Sequence, residues 1–258
     1  MNGLAAYTLW KRELVRFFRQ PSRIAGAAGS PLLFWVLIGS GLSGSFRLPG
    51  AEGVDFLEYF FPGTVVLVLL FGAIFSTISV IEDRREGFLQ GVLVAPVPRL
   101  AIVAGKVFGG ATLAWLQAAV FLALAPLTGL RLNWVSILEA AGVLAALAIS
   151  LTGIGLAFAW RLDSVQGFHA VMNLLLVPMW LLSGAFFPLT GAPVWLSALM
   201  RINPLTYGVA ALRWALYGTA ASLGTGLPGP AASVAMTLAL GAAALAADVL
   251  VTRGSRIE

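Results

Sequence analysis

A serine in a glycine-rich frame, Gly41-Leu42-Ser43-Gly44, and the single histidine of the chain, His169, are the residue types of a nucleophile and its general base. Such a pair works only within hydrogen-bond reach or across one water. The predicted topology puts Ser43 near the outer end of the first membrane span and His169 near the inner end of the fifth, with most of the bilayer between them. The only Gly-Lys pair, Gly105-Lys106, lacks the upstream glycine and the following hydroxyl residue of a phosphate-cradling loop. Cysteine is absent, which excludes disulfides, thiolate catalysis and cysteine-ligated metals. The sequence therefore assigns no catalytic, cofactor or metal site to this chain. Its remaining reactive-looking feature is a run of charges, Glu82-Asp83-Arg84-Arg85-Glu86, and the elements around it decide its meaning.

Those elements are membrane spans. Of 258 residues, 59% are hydrophobic and 10% charged, far from a soluble domain. Stretches of about 20 residues with almost no charge cross a hydrocarbon core roughly 30 Å thick as helices. Six occur: Ile24 to Phe46, Tyr59 to Ile81, Val107 to Leu130, Ala140 to Trp160, Ala170 to Phe187 and Pro230 to Ala247. Period-2 alternation is absent, so helices rather than a barrel satisfy the backbone. The expectation is one all-α polytopic membrane domain over 1–258.

Basic residues orient it. With the N-terminus inside, Lys11, Arg12, Arg16, Arg19, Arg23, Arg84, Arg85, Arg99, Lys106, Arg161, Arg253 and Arg256 lie inside, and Arg47, Arg131, Arg201 and Arg213 outside. That bias predicts both termini in the cytoplasm, in a bacterial-type inner membrane, with no cleaved signal peptide. The net charge of +5 is explained by orientation, leaving no case for nucleic acid. Leu205 to Tyr217 is apolar enough to suggest a seventh crossing, but Arg213 at its centre would cost roughly 3 kcal/mol on insertion scales. Pro178, Pro188 and Pro193 break the long uncharged run from Ala170 to Met200. A re-entrant or outer segment over 188–229 follows, with Trp195, Tyr207, Trp214 and Tyr217 as a lid or collar.

Leu4 to Arg19 is amphipathic, with Leu4, Tyr7, Trp10, Leu14, Phe17 and Phe18 on one arc and Thr8, Arg12, Arg16 and Arg19 on the other. It should lie in the membrane interface over 1–23, against lipid, and stop at Pro21. The inner loop 82–106 reads as a helix leaving the membrane, then a bend at Pro96 and Pro98. Its charges, followed by Phe88, Leu89, Val92 and Leu93, predict a docking surface for another protein. Gly105/Gly109 and Gly153/Gly155 would let helices approach closely. Gln117 and Asn173 are the polar side chains that could line a path.

The order of these parts resembles the membrane subunit of type-2 ATP-binding-cassette (ABC) exporters, the group that includes small antibiotic-resistance permeases. The pieces are the basic interfacial helix, Phe61-Pro62-Gly63, Glu86-Gly87-Phe88-Leu89 continuing to Val94-Ala95-Pro96-Val97-Pro98-Arg99 and Gly105-Lys106, Leu182-Ser183-Gly184-Ala185-Phe186-Phe187-Pro188, and Asn203-Pro204-Leu205-Thr206-Tyr207 with Arg213. The resemblance implies that the loop after the second span carries a coupling helix seated in an ATPase subunit, which gives Arg84, Arg85, Glu86, Gly87, Pro96 and Arg99 the coupling role. It also implies a homodimer of this chain paired with two ATPase subunits that hold the ATP and Mg. An aromatic permease poor in buried charge suits a hydrophobic drug, antibiotic or lipid-like cargo. A polysaccharide or glycolipid exporter is the alternative within the family, and an ion-coupled secondary transporter the alternative outside it; the latter needs intramembrane ionisable residues that these spans almost lack.

Overall fold

The computed structural model describes residues 2–19, 21–43, 55–130, 132–218 and 225–254, and the side chains of all of these except 2, 21–28, 30, 43, 253 and 254. Ser43, Arg23 and Arg253 therefore lie outside the described side chains, and Arg47, Arg131 and Arg256 outside the described residues altogether. Among the described residues every regular element is helical.

Helix α1 (Asn2–Phe18) ends just before Pro21, which opens α2 (Pro21–Ser43). A proline suits that first position, where its missing N–H would have had no helical partner. Helix α3 (Phe56–Ser76) continues after Thr77 into α4 (Ile78–Arg85), making one 30-residue apolar rod. Gly87, at φ +78°, reverses the chain into the short α5 (Phe88–Val94). Then come α6 (Arg99–Leu122), α7 (Trp134–Ala159) and α8 (Val165–Trp180). The chain closes with α9 (Val194–Ile202), α10 (Pro204–Tyr217) and α11 (Pro230–Gly254).

Five segments are long and apolar enough to cross a membrane: Phe56–Arg85, Arg99–Leu122, Trp134–Ala159, Val165–Ala185 and Pro230–Thr252. The first predicted span falls on the 23-residue α2, whose shorter stretch Pro31–Leu42 is apolar. The protein is thus a polytopic all-α membrane protein. Helix α3 forms its axis, with α2, α6 and α7 packed around it.

Several boundaries move from those predicted, each for a physical reason. The third span starts at Arg99 rather than Val107, so 99–106 is not loop but the first two turns of α6. Lys106 can enter that helix because two carboxylates neutralise it. The same span stops at Leu122, before a 3₁₀ turn at Ala125–Thr128. The fourth begins at Trp134 because Asn133 caps it, its side chain accepting from Ser136 N at 2.7 Å. Ser164 caps α8 likewise, accepting from Gly167 N at 3.0 Å. Pro178 does not interrupt α8; the break comes at the wide turn Leu181–Ala185, where Gly184 has φ +78°. The last span passes Ala247, and Asp248 is buried within it.

Helices α9 and α10 form the predicted segment beside α3, and α10 is not among the spanning helices. Pro62 lacks an N–H, so the Glu58 carbonyl one turn earlier loses its helical donor. The Tyr217 hydroxyl donates to that carbonyl at 2.9 Å. Buried Arg213 donates to the Tyr59 carbonyl at 2.8 Å and to Gly184 O at 3.3 Å, and its guanidinium lies 4.1 Å from the Tyr59 ring centre. Helix α11 is amphipathic in reverse: Ser233, Thr237, Gly241, Ala244, Asp248 and Thr252 face inward and apolar side chains face out. There both Asp248 carboxyl oxygens lack a hydrogen-bond partner among the described residues.

Two substitutions should therefore move stability in opposite directions. Tyr217→Phe strands the Glu58 carbonyl and lowers thermal unfolding stability in detergent by about 1 kcal/mol. Asp248→Ala removes an unsatisfied buried carboxyl and raises it by about 1–3 kcal/mol.

Candidate functional site

The charged run 82–86 does not form a uniformly exposed patch. Helical periodicity turns Asp83 inward while its neighbours diverge, and the Asp83 side chain is fully buried. Its carboxylate accepts from both Arg12 Nη atoms at 2.8 and 2.7 Å, from Arg16 at 3.1 Å, and from Lys106. Lys106 also donates to Glu13 at 2.5 Å, and Arg16 to Glu82 at 2.8 Å. Three cations, Arg12, Arg16 and Lys106, thus meet three anions, Glu13, Glu82 and Asp83, from helices α1, α4 and α6. Burial disfavours the charge on Arg12, but the hydrogen bonds and attraction of Asp83 outweigh it and hold the guanidinium pKa above its ordinary value.

Two glycines let these helices come close enough. A Cβ on Gly105 would stand 2.6 Å from Leu9 Cβ and 2.9 Å from the Ala6 carbonyl oxygen; one on Gly109 would stand 2.9 Å from Glu13 Cβ. Helix α1 therefore docks on α6 along Ala6, Leu9 and Glu13. Arg12 and Arg16 of its basic arc are held in ion pairs, Arg19 is exposed, and Leu4, Tyr7 and Phe18 are exposed as well. That apolar remainder suits contact with lipid.

The predicted coupling residues separate into two sets. Arg84 reaches across to the turn after α7, donating to Asp163 Oδ1 at 2.8 Å and to the Trp160 carbonyl at 2.5 Å. Arg85 Nε donates to the Asp163 carbonyl at 3.1 Å while the side chain stays exposed. Glu86 is exposed, 3.9 Å from Arg16. Gly87 supplies the left-handed turn, Pro96 is exposed, and Arg99 is half-buried, its Nη1 without a hydrogen-bond partner among the described residues. The apolar residues also divide: Leu89 is buried and Phe88 lies 3.8 Å beneath the Arg12 guanidinium, so neither belongs to the outward surface. Outward stand Arg85, Glu86, Gln90, Val94, Pro96 and Leu100.

Beside the ion network lies a cavity of about 670 Å³. Helix α3–α4 lines it from Leu67 to Ser79, which is roughly 18 Å of helix. At the α1 end its walls are Glu13, Arg16 and Ser79; deeper they are Phe34, Leu67, Phe71, Val177 and Trp180. Toward the α9–α10 end aromatic side chains close it. Trp180 lies 5.9 Å from Phe34 and 5.8 Å from Phe60, which stacks on Phe56 at 5.4 Å and meets Phe186 edge-on at 5.5 Å. Trp180 Nε1 is fixed to the Gly63 carbonyl at 2.8 Å, where a Gly63 Cβ would stand 2.5 Å from Ala185 Cβ. His169 lines the cavity against Phe75, ring centres 4.7 Å apart. Gln117 lines it too, whereas Asn173 points away and is exposed.

Sequence reading missed the roles of Glu13, Asp83 and Lys106. The available signal was pairing: Glu13 is the only acid in α1, and Lys106 sits seven residues into a helix that must bury it.

Comparison with known proteins agrees with this architecture. Residues 5–217 match the family described as ABC-2 type transporter. The putative transport permease ycf38 of Cyanophora paradoxa is 29% identical over 211 residues, 81% of this chain and 72% of its own. The inner membrane transport permease YadH of Escherichia coli K12 is 25% identical over 222 residues, 83% of this chain and 84% of its own. Nodulation protein J of Rhizobium leguminosarum bv. viciae is 24% identical over 220 residues, 84% of each chain.

The ion network makes a directional prediction. Asp83→Ala leaves Arg12 and Lys106 without their shared anion and lowers stability by about 3–5 kcal/mol. Adding Lys106→Met recovers part of that loss, so the double-mutant cycle of melting free energies should be strongly non-additive. Gly105→Ala, which pushes α1 off α6, should speed limited proteolysis within residues 2–19.

Proposed function

The chain belongs to the ABC-2 type transporter family, and from that premise we propose that it is the permease half of an ATP-driven exporter for hydrophobic or amphipathic molecules. Membership makes it a transport permease, not itself an enzyme, and implies association with an ABC ATPase subunit. A relative named as an inner membrane transport permease, together with the apolar helices, makes it a multi-pass inner-membrane protein. An ion-coupled carrier gives way to this assignment.

The observation that carries the finer reading is the polarity of the cavity. It reaches the basic α1 end and is closed by aromatics at the other. By the positive-inside rule the basic end faces the cytoplasm, so the cavity is loaded from the inside. Its floor is the same ion network that holds α4, and α4 leads directly into the outward-facing loop 85–100. Movement of that loop by an ATPase then acts on the walls around the cargo. Arg84, clamped to the turn after α7, passes the displacement to a second helix. In this reading two copies of the chain pair, each giving half of the path, and ATP with Mg is held by the partner ATPase.

Two measurements test this. A mild-detergent pull-down of the chain from native membranes should recover an ABC ATPase in near-equal amount; a stable preparation without one overturns the reading. Arg85→Glu combined with Glu86→Arg should leave membrane insertion intact and ATP hydrolysis by the complex active, while abolishing ATP-driven movement of a fluorescent alkyl lipid in proteoliposomes. Undiminished movement would remove the coupling role from these two residues.

A further inference from the structure

We propose that the cavity selects amphiphiles whose head group is uncharged and hydrogen-bonding, with Gln117 as the residue that reads it; this rests on the cavity being the cargo path. Three observations lead there. The first is the grading of the walls: Phe34, Leu67, Phe71 and Trp180 lie deep, whereas Gln117, His169, Ser76 and Ser79 follow toward the α1 end. A chain-bearing molecule fits with its apolar part against the deep aromatics and its head toward the cytoplasmic end, the orientation it already has in the inner leaflet.

The second is charge. Among the described residues Glu13 and Arg16 are the only acidic or strongly basic side chains on the cavity wall, and both are engaged. Glu13 is bound by Lys106 at 2.5 Å, and Arg16 by Glu82 at 2.8 Å and Asp83 at 3.1 Å. The six side chains joined by hydrogen bonds sum to zero, three cations against three anions, and exposed Glu86 is a further anion 3.9 Å from Arg16. Among the described side chains of the cavity wall no uncompensated charge is left to attract a phosphate, a sulfate or an ammonium group, and burying such a group beside apolar walls would carry its full desolvation penalty.

The third is an unanswered polar group. Gln117 Oε1 is shielded from solvent and has no hydrogen-bond partner among the described residues. It lies 3.0 Å from where a Cβ on Gly72 would stand, so the missing side chain at Gly72 lets the carboxamide reach across from α6 to α3. A carboxamide offers one acceptor and two donors, which match hydroxyl and amide groups. A site built around such a group discriminates strongly against molecules that cannot satisfy it.

The test uses the full-length chain in nanodiscs and three probes with the same chain: octyl glucoside, octylphosphocholine and octyl sulfate, below their micelle concentrations, with binding to empty nanodiscs subtracted. Octyl glucoside should bind about tenfold tighter than either charged probe. Gln117→Leu, similar in volume, should remove that preference and leave the charged probes unchanged. Val177→Trp, which fills the apolar part of the cavity from an exposed position, should weaken all three. Equal or reversed head-group preference, or a glucoside preference that survives Gln117→Leu, overturns the proposal. If Val177→Trp weakens every probe while Gln117→Leu changes none, the head-group assignment alone falls. If Val177→Trp changes none, amphiphiles do not occupy the cavity, and the cargo-path reading falls with the proposal.

Discussion

A single buried carboxylate holds the α1 end of this protein together. Asp83 has no access to water, yet it is reached by Arg12 and Arg16 from α1 and by Lys106 from α6. A lone buried carboxylate in such a place would be costly, and so would any of the cations deprived of it. The arrangement persists because Asp83, Glu13, Arg12, Arg16 and Lys106 each have more than one partner and the six hydrogen-bonded charges balance. Its value lies in specificity of placement: α1 cannot slide along α6, nor α4 rotate, without breaking more than one ion pair. Gly105 and Gly109 provide the close backbone approach that brings these groups into range.

At the other end the same problem, polar groups without water, is solved with neutral hydrogen bonds. Pro62 frees a carbonyl in the middle of α3, and Tyr217 from α10 takes it up. Asn203 donates to the Met179 carbonyl at 2.6 Å, and Thr206 to that of Met200 at 2.5 Å, near the wide turn where α8 stops. Buried Arg213 stands there too, and among the described residues carbonyl oxygens and an aromatic ring solvate it. Irregular backbone at membrane depth is tolerated where protein groups pair it in this way.

How much of this was legible follows from which forces act locally along the chain. Apolar length and proline position are local, so the long helices, a separate helix at the N-terminal end and the break of the chain into α9 and α10 before the last span were readable. The cap residues Asn133 and Ser164 shifted span starts by several residues, because hydropathy does not register a cap. The interior charges misled most. Spans drawn from Val107 and to Ala247 leave out Lys106 and Asp248, yet both lie within helices, Lys106 neutralised by partners 93 and 23 residues away in sequence. Of the coupling residues, Arg85, Glu86 and Pro96 stand outward, whereas Arg84 is turned onto the α7 turn. A helix of only eight residues, with two faces and five consecutive charges, cannot be resolved without knowing what packs against it.

The neutral network and the apolar cavity constrain one another. Carrying a buried net charge through low dielectric would add a large electrostatic barrier to any movement of the cavity floor. A cluster of three cations and three anions can shift as a body with its internal pairs intact, so the change in solvation is small. The network ties together α1, the end of α4 and the first turns of α6. Thr77 links that unit to α3. It is the one residue separating α3 from α4, with its own hydroxyl donating back to the Ile74 carbonyl at 2.6 Å and a backbone still in the helical region. Gly155 of α7 packs directly on it, a Cβ there standing 2.9 Å from Thr77 Oγ1. Thr77 therefore sits where α7, whose following turn is held by Arg84, bears on the rod, and the end of α4 is tied to α7 at two levels.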